Sequence, residues 1–475
     1  MSASHLSAAV LPLTCGLLGL CITAGCGLVV DADRFRDLQV APPGLQALSL
    51  YEGSGGPVGA GRGEPLWLHA RAYANSVMVR SEAPRVTLSA PVRSADGTGL
   101  SVLAWIAPFI NLAEGDEQPV ILWLEDGTRT TSVTLTVLGL DELELAGLVD
   151  PQTLADQYSD ISTTAPVRFE GPQPARLVST GSVRMMHNVS VAGLGATPGA
   201  GGFAPGAGPR SGGNADAVAR GCASGGGGAG AREAGQPASG GASGGEATTF
   251  VLEQANLPQM VGSGGGRGGD SGQDLGQPGG AGAGSLYVDG AVVQWSGELD
   301  ASGAPGEDAP GSGCGQDGRG AGGGGSAGLI WVRAQHALMT EGSARVAGGA
   351  GGSGGQKSGG QGADGWLRID APQEDVPIAQ GLNAMYPAYR GPAWRVQDPR
   401  VAPDAALAFT ASPGLTLNLF VDEALSAQVQ ADAQGLGMVS APSAPGLHRL
   451  CLQSAAAAQA QREEASACVR IAVLP

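Results

Sequence analysis

Lysine is almost missing from this chain of 475 residues: Lys357 is the only one, and every other basic residue is arginine. Arginine over lysine, with abundant alanine and glycine, is what GC-rich codons produce, so the deficit by itself indicates no function. Asp and Glu outnumber Lys and Arg by 43 to 26, a formal net charge of −17. No basic face can be assembled to neutralise phosphates, which excludes a nucleic-acid partner. The chain also lacks a CxxC or any Cys/His cluster at zinc spacing, and no cofactor is expected. Aromatics are scarce, 4% of the chain, so Tyr287, Trp295, Trp331 and Trp366 stand out within a short span. The strict Gly-X-Y period of collagen is absent as well. Gly262-Ser263-Gly264-Gly265-Gly266-Arg267-Gly268-Gly269-Asp270 holds no three-residue register.

What the chain has instead is glycine. Between Val191 and Asp370 lie 57 of its 82 glycines, in runs such as Gly225-Gly226-Gly227-Gly228 and Gly322-Gly323-Gly324-Gly325. Each glycine loses roughly 0.5–1 kcal/mol more than alanine on ordering in a helix or strand. Over the block that is on the order of tens of kcal/mol against a conventional globular fold. Such a block is either disordered or made of short strands joined by glycine loops.

The N-terminus reads as an export signal. An apolar stretch from Leu6 through Ile22 leads into Thr23-Ala24-Gly25-Cys26. Small residues followed by cysteine resemble the lipobox of bacterial lipoproteins. The resemblance implies a signal peptide over 1–25, a diacylated Cys26 as the new N-terminus and a membrane partner reached through that lipid. With Gly27 after the cysteine, it implies the outer membrane or cell surface of a Gram-negative bacterium. The alternative is an uncleaved anchor helix from Leu6 to Val30, just long enough to span a bilayer. Cys15 and Cys21 lie in the leader, leaving Cys222, Cys314, Cys451 and Cys468, an even number in an oxidising compartment. Three connectivities are open. Cys451–Cys468 and Cys222–Cys314 are favoured because each pair lies within one composition zone.

The sequence predicts an all-β protein. A tether over 26–44 precedes a sandwich over 45–149, with runs such as Leu100–Trp105, Val120–Leu124 and Ser132–Val137 at sandwich spacing and a hairpin turn at Glu125-Asp126-Gly127. This strand order resembles the immunoglobulin-like IPT/TIG domains of secreted bacterial proteins. A connector over 150–174 leads to the glycine-rich region, 175–371. Within it, Arg176–Gly193, Ser285–Gly303 and Leu329–Gly348 each hold three short β runs and exit into a glycine loop. Imperfect repetition of this size predicts a solenoid, in which stacked units share a core that no unit could bury alone. The region resembles the glycine-rich exported β-helix proteins of large-genome bacteria, which implies a parallel β-helix with glycine loops on one side. A polyglycine-II bundle is a further option, and the missing three-residue register is the objection to it. A connector over 372–403 precedes a small β-sandwich, 404–475, with the alternating Leu415, Leu417, Leu419 and Val421 as a half-buried strand.

Several motifs carry candidate chemistry. Gly265-Gly266-Arg267-Gly268-Gly269-Asp270 and Gly359-Gly360-Gln361-Gly362-Ala363-Asp364 resemble the GGxGxD of calcium-binding RTX repeats. Calcium there needs tandem copies, and these stand far apart, so no metal site is expected. Gly269-Asp270-Ser271-Gly272 resembles the nucleophile segment of chymotrypsin-like proteases, and Gly241-Ala242-Ser243-Gly244-Gly245 a nucleophile elbow. Both need a partnered histidine, and His69, His187, His336 and His448 stand in no catalytic setting. The four aromatics either fill the coil interior or form a sugar-stacking row. Asp289, Glu298 and Asp300 do not form a recognisable carboxylate pair. Two functions follow: a non-enzymatic surface protein with a structural, adhesive or display role, partnered by extracellular polysaccharide or surface proteins, or alternatively a β-helix carbohydrate-binding or carbohydrate-active protein.

Overall fold

The computed structural model describes the strands between Leu45 and Leu138. From residue 141 to 473 it describes all but 159, 180, 220, 249–259, 273, 311–317, 355–356, 373–388, 397–399, 445 and 455–465. The leader, tether and Cys26 lie outside the described residues, as do Cys314 and most of the alanine-rich stretch before Cys468.

The N-terminal strands are β1 (Leu45–Glu52), β2 (Pro65–Ala72), β3 (Met78–Ser81), β4 (Val86–Leu88), β5 (Val92–Arg93), β6 (Gly99–Ile106), β7 (Glu117–Glu125) and β8 (Thr130–Leu138). They form two antiparallel sheets, one ordered β1-β2-β6-β4 with β5 also on β6, the other β3-β7-β8. The expected hairpin pairs Glu125 with Thr130 and continues to Glu117 and Leu138.

A large, curled, all-parallel sheet follows. Its strands are β9 (Leu143–Val149), β10 (Ile161–Phe169), β11 (Ala175–Val178), β12 (Ser182–Met185), β13 (Val189–Ser190), β14 (Leu286–Trp295), β15 (Glu298–Asp300), β16 (Leu329–Thr340), β17 (Ser343–Arg345), β18 (Trp366–Asp370) and β19 (Tyr389–Arg390). Successive passes stack in register as in a solenoid. Leu177, Val288, Val332 and Ile369 form one column, Val183, Val293 and Leu338 a second, and Val189, Leu299 and Ala344 a third. All point into a single core, where Leu286 and Ile330 join them as the repeats predicted. The sheet starts earlier than the sequence indicated. The sequence places β9 in the N-terminal sandwich and β10 in a connector, yet β9 pairs in parallel with β10, and β10 with β12 and β13. Thr164 and Pro166 mask the alternation of β10, whose Ile161, Thr163, Val167 and Phe169 are buried.

The glycine segments between these strands do not bulge as loops. They run back and forth as extended segments, hydrogen-bonded side by side into an array. Segment 320–328 defines the geometry. The N–H groups of Gly320, Gly323 and Ser326 donate to Gly269, Gly266 and Ser263, those of Ala321, Gly324 and Ala327 to Lys357, Gly360 and Ala363, and those of Gly322, Gly325 and Gly328 to Glu307, Ala304 and Ala301. Its carbonyls accept from 223–229, 277–283 and 349–352. Partners recur every third residue, the period of a polyproline-II helix with about three residues per turn. The segment is thus surrounded by six others, 223–231, 262–270, 277–284, 301–309, 346–354 and 357–365. Segment 223–231 is enclosed in the same way. These two hold the Gly322–Gly325 and Gly225–Gly228 runs. A helix with three side-chain directions and neighbours all round leaves room for nothing larger than the alanines and serines present, and within the glycine runs for no side chain at all. A Cβ added at Gly227 or Gly323 would overlap the carbonyl of Ser243 or Gly227.

The glycine block is therefore a polyglycine-II array, and the missing register has a physical reason. Only segments with an outward face keep one. Arg267 and Asp270 stand three apart on one such face, and Gln361 and Asp364 on another. The array also closes the sheet. β13, β15 and β17 run on into it, segments of it lead into β14, β16 and β18, and Ala200, Ala283, Ala301 and Ala327 complete the core.

The C-terminal strands are β20 (Ala393–Trp394), β21 (Arg400–Val401), β22 (Ala406–Thr410), β23 (Thr416–Val421), β24 (Ala424–Gln430), β25 (Leu436–Ser440), β26 (Gly446–Ser454) and β27 (Ala467–Val473). Two sheets, β20-β22-β25 and β21-β27-β26-β23-β24, share one core built around Phe409, Leu417, Leu450 and Ile471. β20 and β21 fall within the stretch read as a connector, where Trp394 is drawn into the core and donates to Ala467 O at 2.8 Å. β26 and β27 pair with Cys451 opposite Cys468, joined by a disulfide. A loop of this size gives about 3 kcal/mol of stabilisation in the chain-entropy account.

Candidate functional site

Among the described residues, a dense cluster of chemistry-bearing side chains lies on the outer face of β14, β16 and β18. Parallel register stacks Arg176, Tyr287, Trp331, Arg368 and Tyr389 in one row and Asp289, Arg333 and Asp370 in the next. In the first row the Arg176 guanidinium lies 5.4 Å from the Tyr287 ring centre, and Tyr287 meets Trp331 edge-on at 4.9 Å. Arg368 lies 4.0 Å over Trp331 and 5.6 Å from Tyr389. Each such cation–aromatic contact is worth about 0.5–2 kcal/mol, more when dry. The middle of this row is dry: Tyr287, Trp331 and Arg368 are buried, the two aromatics packed with Ala231, Met260 and Ala363 of the array side, while Arg176 is exposed and Tyr389 half-buried.

The second row neutralises the first. Asp370 takes Arg368 Nε on Oδ1 at 2.9 Å and Arg368 Nη2 on Oδ2 at 2.8 Å, while Trp331 Nε1 donates to Oδ2 at 3.0 Å. The bidentate geometry suits two charges taken out of water. The Tyr287 hydroxyl donates to Asp289 Oδ2 at 2.9 Å. Burial, and then the adjacent Asp289 carboxylate, push the Tyr287 hydroxyl well above its ordinary pKa, so it stays a donor. Burial pulls Arg333 down, but Asp289, Tyr287 and Asp370 outweigh it and hold the guanidinium above its ordinary value. Arg333 Nη2 donates to Ser466 O at 2.9 Å, and Thr410 Oγ1 to Ala371 O at 2.8 Å. Gly391 lies so close to the Asp370 carboxylate that a Cβ there would overlap it. The rows therefore join the parallel sheet, the array side and the C-terminal sandwich. A cluster of paired, mostly buried charges thus bonds the three parts together.

The second candidate is the end of the array remote from the sheet. Val218, Gly221, Gly240, Gly241, Gly272 and Asp274 and the segment ends at Ala309, Gly318, Ser353 and Ser358 gather there. Gly272 donates to Val218 O, Ala223 to Gly318 O, Ser239 to Ser358 O and Ala309 to Ser353 O. Ser271 Oγ donates to Gly221 O at 3.1 Å, and Ser224 Oγ to Gly240 O at 2.9 Å. Cys222 in this end face is disulfide-bonded. Leu275 and Asp274 are exposed beside it.

The residues singled out in the sequence fall in separate places. Trp295 is wholly buried inside the coil, and Tyr287, Trp331 and Trp366 are buried outside it, so none presents a ring to a sugar. Asp270 Oδ1 takes the Gly276 N–H and Arg267 Nη2, whereas Asp364 Oδ1 takes the Gly348 N–H. They sit on different segments and serve the array. Ser243 lies within the array, where its carbonyl accepts from Gly213. His187 Nδ1 lies 3.0 Å from Thr163 O, and His448 lies between Asp422 Oδ2 and Ala444 O, at 2.7 and 2.9 Å. Neither stands with a serine. Asp289 lies on β14, away from Glu298 and Asp300 on β15. The sequence did not pick out Arg333, Arg368 or Asp370. Their signal was present in Leu329-Ile330-Trp331-Val332-Arg333, a strand with large side chains at every position and hence one buried on both faces. No protein-family model and no curated protein matches this chain, so these sites are interpreted from their own geometry.

Proposed function

We propose a non-enzymatic, lipid-anchored cell-surface protein that displays the remote end of its polyglycine array to an extracellular polysaccharide or a surface protein. The observation that carries this is the gathering of Val218, Gly221, Ser239, Gly240 and Gly272 at one end of an extensively hydrogen-bonded body. Recognition residues concentrate on loops held by a rigid scaffold. On this proposal the curled sheet is a parallel β-helix, the N-terminal sheets are immunoglobulin-like and act as a stalk, and acylated Cys26 ties the chain to the outer membrane. Burial of the four aromatics and neutralisation of Arg368 and Arg333 favour it over a carbohydrate-active enzyme.

The test is metabolic labelling with a fatty-acid analogue, followed by protease shaving of intact cells. The wild type is expected to carry label and to lose its ectodomain to protease, while Cys26→Ala carries none. Equal labelling of both would remove the lipid anchor, and full protection from protease would remove surface display.

A further inference from the structure

The array has a finite width, and its rim is where an ordered set of backbone groups should run out of partners. Inside, the N–H groups of the enclosed segment 320–328 all find carbonyls on neighbouring segments. At the rim an outward N–H faces the groove in which a further segment of the array would lie. Among the described residues, four of these groups are met by Asn or Asp side chains of an adjacent segment. Asn214 Oδ1 accepts from Arg267 N at 2.8 Å, Asp270 Oδ1 from Gly276 N at 2.7 Å, Asp308 Oδ1 from Ser353 N at 2.6 Å and Asp364 Oδ1 from Gly348 N at 2.9 Å.

The placement follows one rule. In every case the acceptor side chain and the N–H belong to adjacent segments already joined through their backbones. Ala215 donates to Arg267 O, Gly268 to Gln277 O, Ala309 to Ser353 O and Gly362 to Gly349 O. Each cap therefore bridges the groove between two neighbours at the rim. Asp270 and Asp364 also occupy outward positions of the three-residue period, three residues after Arg267 and Gln361. An open rim of this kind is the polyglycine counterpart of an unpaired edge strand, which templates the addition of another chain.

We infer that Asn214, Asp270, Asp308 and Asp364 close the rim of the array, and that what they exclude is a glycine-rich segment of a second copy of this chain. The second copy is the fitting occupant because its own 320–328 has the all-small sequence that an enclosed position demands. In the folded monomer that segment is already surrounded, so the danger lies with copies in which it is still unpaired, during folding after export.

Sedimentation of the full-length protein in detergent, refolded across a range of concentrations, tests this. The triple variant Asp270→Ala, Asp308→Ala, Asp364→Ala is expected to associate at concentrations at least tenfold below those at which the wild type first does. The matching triple to Asn keeps an Oδ1 acceptor at each position while removing the same three charges, and should sediment as wild type. Association of the Asn triple equal to that of the Ala triple would show that lost charge is responsible and would overturn the inference, as would Ala triples that stay monomeric. Should the Ala triple fail to fold, Asp308→Ala alone serves. A labelled peptide of sequence 320–328 should bind this variant and not the wild type, and absence of binding to the variant counts against the proposal.

Discussion

Replacing Gly323 by alanine is expected to unfold the polyglycine array, lowering stability by more than about 4 kcal/mol. The added Cβ would overlap the carbonyl of Gly227, a backbone atom of the neighbouring enclosed segment. No rotamer change relieves this. Segment 320–328 cannot shift either, since its N–H groups are committed on three sides and its carbonyls on three more. Moving it strands several backbone groups in a dry interior, and each unsatisfied group costs about 1–3 kcal/mol. Gln361→Ala is the control. Its side chain points outward and only its carbonyl serves the array, so a change within about 0.5 kcal/mol is expected. Urea denaturation followed by circular dichroism compares the two. Similar midpoints would mean that the array tolerates side chains at its centre, contrary to the packing described.

Asp370→Ala should cost about 3–5 kcal/mol, the usual penalty for leaving a buried charge without its partner. The lost carboxylate is the shared acceptor for Arg368 and the Trp331 indole, and it helps hold Arg333 charged. Arg333 in turn bonds Ser466, so the C-terminal sandwich should detach from the sheet before either unfolds. Limited proteolysis reads this as early cleavage between the sheet and the sandwich. Arg368→Met in the same background removes the stranded cation and should recover part of the loss. A double variant as unstable as the sum of the singles would refute the pairing.

The parallel sheet was largely legible because side-chain alternation survives in its central strands. Leu286 and Val288 against Ile330 and Val332 indicated a shared interior, and these columns form. β10 was hidden because Thr164 and Pro166 interrupt its pattern, and it is pairing with β9, β12 and β13 that makes it a strand. The glycine block was harder. Counting glycine entropy against side-chain burial treats side chains as the only source of cohesion, whereas the enclosed segments cohere through backbone hydrogen bonds that require side chains to be absent. A three-residue register could not appear in Gly322–Gly325 because all of its directions are occupied. It appears only at the rim, where Gln361 and Asp364 resembled a calcium motif. The arginine–aromatic rows depend on inter-strand register across Tyr287, Trp331 and Arg368, which local sequence does not encode.

A body held together by peptide groups rather than methyl groups responds differently to temperature. Unfolding an apolar core raises the heat capacity by about 0.45 cal/mol/K for each Å² exposed, while exposing polar surface lowers it by about 0.26. The enclosed segments bury almost nothing but backbone, with alanine and serine as their largest residues. Their heat-capacity increment on unfolding is therefore small beside that of the sheet core, where Trp295 and Phe169 are buried. Calorimetry of Gly323→Ala against the wild type separates the two contributions: the variant should lose melting enthalpy while keeping nearly the same increment. A small increment flattens the stability curve, so the array keeps its strength in the cold, where cohesion built on hydrocarbon weakens.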